Sequence, residues 1–151
     1  MTEPTTATYS PVTVRTTHRA TQTFVGALLG SGTSRRDGHL HPPDRPPAPG
    51  VRCSGCRWTE TKIFWSADDR QYVISMIGRS VLPGETDRVK TVWTASAEGV
   101  LDTLLIKPPR NVGGDPDRLE LPQPNADALE EASERDPALD EVFARWDAEE
   151  G

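Results

Sequence analysis

RWTETKIFWSADDRQYVISMIGRS, residues 57–80, is the stretch on which the fold turns. From Arg57 to Ser66 the alternation sets Trp58 and Phe64 on one face and Ile63 and Trp65 on the other, with β-branched Thr59 and Thr61 between. That pattern of period two, rich in aromatic and β-branched residues, is a strand signal. Ala67-Asp68-Asp69-Arg70 has the composition of a turn, and Gln71 to Arg79 is again strand-like. A connection this short implies an antiparallel hairpin.

Working outward, Pro83-Gly84 marks a turn and Asp87 to Thr94, with Val89, Val92 and Trp93, reads as a third strand. Thr94 or Ser96 then caps a helix through Leu105, whose stripe is Val100, Leu101, Leu104 and Leu105, with Glu98 near its positive end. Upstream, Pro11 to Thr17 permits a short strand. Ala20, Phe24, Ala27 and Leu28 stand at helical spacing, so a helix is expected over about residues 18–30, stopped by Gly30 and Gly32. The expected fold class is α+β: a small antiparallel sheet of three or four strands with two packed helices, a zinc-stapled loop and a helical acidic C-terminal segment.

Composition bounds the domains. With 151 residues, 34% hydrophobic and 6% aromatic, the chain fits one domain with tails. The expected division is a disordered tail over 1–10, a zinc-stapled core over 11–107, a linker over 108–124 and an acidic helical segment over 125–151. In the last of these, Asn125 caps a short helix to Ser133 and Asp136-Pro137 opens another, with Leu139, Val142, Phe143 and Trp146 on one stripe. The start shows neither a basic n-region nor an apolar h-region, and no run is long and apolar enough for a bilayer span, so the expected setting is cytoplasmic without a membrane partner.

The net charge of −6 is unevenly spread. Residues 1–114 carry 14 cations against 10 anions, and residues 115–151 carry 3 against 13. The body is therefore mildly basic and the tail strongly acidic.

One constellation carries chemistry: His39 and His41, then Cys53 and Cys56, separated by a loop containing Pro42, Pro43, Pro46, Pro47 and Pro49. Two thiolates at C-x-x-C spacing reach one tetrahedral ion, and histidines at i and i+2 of an extended segment point to the same side. Four protein ligands leave no open position for water, so the expected cofactor is structural zinc. The proton-shuttling glutamate of a zinc deaminase is missing, since position 41 is histidine. With no phosphate loop or nucleophile elbow either, the reading is non-enzymatic. A long loop without structure of its own needs a reason, and a metal supplies one. The competing readings are a redox C-x-x-C, buried cysteines without a metal, and histidines that are merely solvated.

The runs RCSGCRWTE (52–60), YVISMIGRSVLPGE (72–85), TASAEGVLDTL (94–104) and ADALEEASERDPALDEVFARW (126–146) resemble small uncharacterised proteins of actinobacteria and actinobacteriophages with an RCSxCRW motif. The best marks of that likeness are Cys53, Cys56, Arg57, Trp58, Pro83, Gly84 and Glu85. It implies an accessory role and supplies no activity.

Arg35, Arg36, Arg52 and Arg57 crowd the metal loop as candidate partner contacts. The expected function is an accessory or regulatory zinc-binding module that binds another protein. Nucleic-acid binding is the alternative, with these arginines on phosphates, Trp58 and Trp65 as stacking surfaces and the acidic tail as a mask.

Overall fold

The computed structural model describes residues 8–17, 19–35, 56–82, 84–107 and 119–150. Five strands form one antiparallel sheet in chain order: β1 (Ser10–Val14), β2 (Gln22–Thr33), β3 (Arg57–Ser66), β4 (Gln71–Ser80) and β5 (Arg88–Thr94). Three helices follow: α1 (Ala97–Leu104), α2 (Gln123–Ser133) and α3 (Pro137–Glu150). None of the described helices is long and apolar enough to cross a membrane.

The central hairpin pairs β3 with β4 without a break from Arg57↔Ser80 to Ser66↔Gln71. Its turn is held by side chains. Ser66 Oγ donates to Asp69 Oδ2 at 3.0 Å, Asp68 Oδ2 accepts from the Val25 amide at 2.8 Å, and Arg70 takes the left-handed conformation (φ 52°) that closes the turn. Alternation then sends Ile63, Trp65, Tyr72 and Ile74 to the face covered by helices, where Leu29, Val100, Leu104, Ala128, Leu129 and Leu139 complete a buried core. Phe64 and Val73 face the other way and meet Val14 and Phe24 in a second, smaller core.

The expected helix over residues 18–30 is not formed, and with it the α+β arrangement of three or four strands and two helices is overturned. The molecule is a curled five-stranded sheet, a half-barrel, with three helices on one face. The segment is strand β2, and its misleading periodicity has a physical source. A bulge between Leu28 and Gly30 inserts one residue against β3 and shifts the alternation by one. Both faces of β2 are also covered in part, so Phe24 is buried on one side and Ala27 and Leu29 on the other. Two half-patterns out of phase imitate a spacing of three and four. Leu28, assigned to the helical stripe, is 44% exposed.

Gly30 and Gly32 do not stop a helix; they admit one. A Cβ built at Gly30 would lie 2.1 Å from the Ala128 carbonyl oxygen, and one at Gly32 would lie 2.0 Å from that of Pro124. Helix α2 rests its backbone directly on the strand, which any larger residue at either position prevents. Around this contact the polar groups are satisfied. Buried Asn125 accepts from Thr61 Oγ1 and donates to the Leu104 carbonyl at 2.8 Å. Arg135 Nη1 donates to the carbonyl of Leu29, the extra residue of the bulge, at 2.6 Å. Asp136 caps α3 through the Ala138 amide at 2.9 Å and accepts from the Tyr72 hydroxyl at 2.6 Å. Helix α1 is capped by Ser96, whose Oγ accepts from the Gly99 amide at 3.0 Å.

On the other face the sheet curls until its edges meet. Past β1 the chain crosses to β5, where the Thr17 amide donates to the Val89 carbonyl at 2.9 Å and the Val89 amide to Thr17 Oγ1 at 2.7 Å. Thr91 Oγ1 donates to the Arg15 carbonyl at 2.8 Å, and Phe24 meets Trp93 edge-on at 5.2 Å.

The glycine contact is open to a matched test. Gly30→Val should lower unfolding free energy in urea by about 1–3 kcal/mol, the range for overpacking. Gly78→Ala, where the nearest atom to the new Cβ stands at 3.9 Å, should leave it unchanged or raise it by about 0.4–1 kcal/mol. Equal effects at the two positions would refute the account.

Candidate functional site

Two regions carry polar groups that packing alone does not explain: the end of the sheet where β3 begins, and the concave face.

At the first, Cys56 stands just before β3. It is 2% exposed, and its carbonyl accepts from the Val81 amide at 3.0 Å. Across from it, the Ser34 amide donates to the Thr59 carbonyl at 2.9 Å and the Thr59 amide to Ser34 Oγ at 2.8 Å. The two flanks of residues 36–55 are thereby held at one end of the sheet. His39, His41 and Cys53 lie outside the described residues, as do Arg36 and Arg52; of the four expected zinc ligands only Cys56 is described. Among the described residues no group of three or more His, Cys, Asp or Glu is placed to hold a metal, so the zinc-stapled loop of the expected architecture is not seen there.

The described arginines at this end, Arg35, Arg57 and Arg79, are engaged. Arg57 grips Glu85 with two prongs, Nε to Oε1 at 2.8 Å and Nη2 to Oε2, and Ser80 Oγ adds a further bond to the same carboxylate. Arg79 bridges Glu60 at 2.7 Å and Asp87 at 2.9 Å. Trp58 Nε1 donates to Glu60 at 3.1 Å, and the Arg35 guanidinium stacks 4.4 Å from the centre of the Trp58 ring. Bonds from Arg57 and Ser80 hold the Glu85 carboxyl down at about 2. For Glu60, burial pushes the carboxyl up, but the bonds from Arg79 and Trp58 outweigh it and the group sits below its ordinary range.

Among the described residues this surface is charge-balanced, with Arg35, Arg57 and Arg79 against Glu60, Glu85 and Asp87. Trp58 and Trp65, 9% and 0% exposed, are core residues and offer no face to a base. Glu60, Arg79 and Asp87 were not singled out from the sequence, although one signal was present. Counting back equally from the turn sets Trp58 opposite Arg79, two pairs from Glu60 and on the same face.

The second region is a cavity of about 250 Å³ on the concave face, near the place where the chain crosses from β1 to β5. Its apolar wall is Val14, Phe64, Ile77 and Val89, and its cations are Arg15, Lys62 and Arg79. A cleft of similar size lies between α1 and α3, beside Tyr72 and the Arg145–Glu98 pair (3.3 Å). There burial, and then Asp136, push the Tyr72 phenol up, so it serves as a structural hydrogen-bond donor. All three histidines of the chain lie outside the described residues.

Against protein-family models, curated proteins and solved structures the chain gives no match.

The Arg57–Glu85 pair generates a pH prediction. Glu85 titrates near 2 in the folded chain against an ordinary 4.5. Its contribution to stability is therefore complete above pH 4.5 and lost as pH falls toward 2. A carboxyl-carbon NMR titration should find the Glu85 midpoint near 2, moving up toward 4.5 in Arg57→Gln. A wild-type midpoint already at the ordinary value would show that the pair does not form in solution.

Proposed function

We propose that this chain is a non-enzymatic accessory module in which His39, His41, Cys53 and Cys56 bind one structural zinc ion, and that the zinc-bearing end of the sheet engages a protein partner. The observation that carries the reading is the placement of Cys56. It is buried at the end of the sheet where both flanks of residues 36–55 are tied down by Ser34 and Thr59. Ordering a connection of that length costs conformational entropy, and a metal that binds only the folded form offsets the cost.

Three further observations favour this reading over its rivals. Cys56 opens a strand, not a helix, so it lacks the positive helix end that activates a redox C-x-x-C. Arg57 and Arg79 are committed to carboxylates, and Arg35 to the Trp58 ring, which weakens the case for phosphate contacts. Trp58 and Trp65 are withdrawn into the core, which removes the stacking surfaces a single-strand binder uses. Among the described residues, arginines matched by carboxylates at this end suit a protein surface. A reducing compartment, where thiolates ligate instead of pairing, belongs to the same reading.

Protein purified without added metal should contain one zinc per chain. Cys53→Ser and His41→Ala should each release it and lower the melting temperature, and a chelator should do the same to the wild type. Metal-free protein with two titratable thiols and an unchanged melting temperature would overturn the zinc reading. Salt-dependent binding to single-stranded DNA or RNA at physiological ionic strength would replace the protein partner with a nucleic acid.

A further inference from the structure

The half-barrel has a second pole of chemistry, away from the cysteines. Its concave cavity, about 250 Å³, falls just below the roughly 300–1,000 Å³ typical of sites for drug-sized ligands. Its lining interleaves apolar residues, Val14, Phe64, Ile77 and Val89, with the cations Arg15, Lys62 and Arg79. Glu60 and Asp87, the nearest carboxylates in the ionic network, bind Arg79 and are not among its lining residues.

The three cations differ in what they have left to give. Arg79 is bonded to both carboxylates. Lys62, half-buried in the middle of β3, and Arg15, exposed just past β1, form no ion pair among the described residues, although Glu60 feels the Lys62 charge. Glu60 is already bonded to Arg79, so a half-buried Lys62 ammonium beside apolar side chains is better satisfied with an anion in the cavity than without one. The hydroxyls refine the picture. Thr91 Oγ1 donates to the Arg15 carbonyl, so the Ser75–Thr91 contact at 3.0 Å has Ser75 as its donor. Ser75 then offers the cavity only lone pairs, so it gives an anion no donor and leaves that role to the cations. With Arg15 and Lys62 in no ion pair among the described residues, and the Lys62 charge partly answered by Glu60, the site matches a single negative charge better than a phosphate dianion.

We infer that the concave cavity is a binding site for a small amphipathic monocarboxylate, its apolar body on Phe64, Ile77 and Val89 and its carboxylate between Arg15 and Lys62. The inference does not depend on the zinc reading, since the cavity and the cysteine end share only Arg79, whose charge is already matched. The site is built by the curl of the sheet: the segment after β1 must reach β5 through Thr17 and Val89 for Arg15 and Lys62 to line one cavity.

Octanoate serves as the probe, followed by amide shifts in two-dimensional NMR of the full chain. It should bind saturably, with the largest shifts at Val14, Phe64, Ile77 and Val89, and about tenfold more tightly than 1-octanol, the size of one charge-assisted bond. Arg15→Gln combined with Lys62→Gln should weaken octanoate about tenfold, to the level of octanol, at unchanged melting temperature. Ile77→Trp should abolish both. Inorganic phosphate should shift nothing at these positions. Equal binding of octanoate and octanol to the wild type, shifts clustered at the α1–α3 cleft, no effect of the double substitution, or preference for phosphate would each overturn the inference. A substituted chain that loses stability is replaced by Lys62→Met, which keeps the stem that packs on the sheet and removes only the charge.

Discussion

The contact on which the structure rests is the seating of α2 on β2 with no side chain between them. Gly30 and Gly32 face the helix, and the carbonyls of Ala128 and Pro124 occupy the space where their side chains would be. So close an approach determines what else can happen on that face. It brings Asn125 within reach of both Thr61 and Leu104, which ties the helix to β3 and to the end of α1. It also carries Arg135 to the carbonyl of the bulged Leu29, and Asp136 to Tyr72. The acidic C-terminal stretch becomes one wall of the core, with Asp136 buried against Tyr72 and Ala128, Leu129, Ala132, Leu139 and Val142 facing inward.

With one face closed by helices, the other is free to curl. The right-handed twist of antiparallel strands favours curling, and the bulge in β2 increases it. Phe24 against Trp93 and Thr17 against Val89 bring the two edges of the sheet together over a core of few residues. The same strands therefore do two jobs. Tyr72 and Ile74 hold the protein together, while Ser75, Ile77 and Arg79, on the alternate side, line a cavity. The ion pairs of Arg57 with Glu85 and of Arg79 with Glu60 and Asp87 lie at the end of the sheet where Cys56 precedes β3.

Much of this was legible before any coordinates. The β3–β4 hairpin, its turn and the Ser96 and Asp136 caps follow from local rules, because each is decided by residues within a few positions of one another. The residues of the metal reading were equally visible, since C-x-x-C spacing is a local geometric statement. Strand β2 was not legible. Its apolar positions answer to partners on two faces, and the bulge changes their phase in the middle, so a one-dimensional period has nothing consistent to detect. The cavity was hidden for a similar reason: Arg15 and Lys62 are 47 positions apart, and only closure of the sheet makes them neighbours.

The sequence alone determined the elements whose causes are local: alternation in β3 and β4, a helix start at Thr94 or Ser96 and another at Asp136, and the grouping of thiols and imidazoles in one proline-rich stretch. Tertiary structure decided what long-range contact alone can decide. It made Gly30 and Gly32 a seat for a helix instead of its end, turned the acidic tail into core, and drew two distant cations to one wall. The reason is that a glycine, a bulge or an unpaired charge has no fixed meaning along the chain; each takes its role from what the fold places within a few ångströms of it.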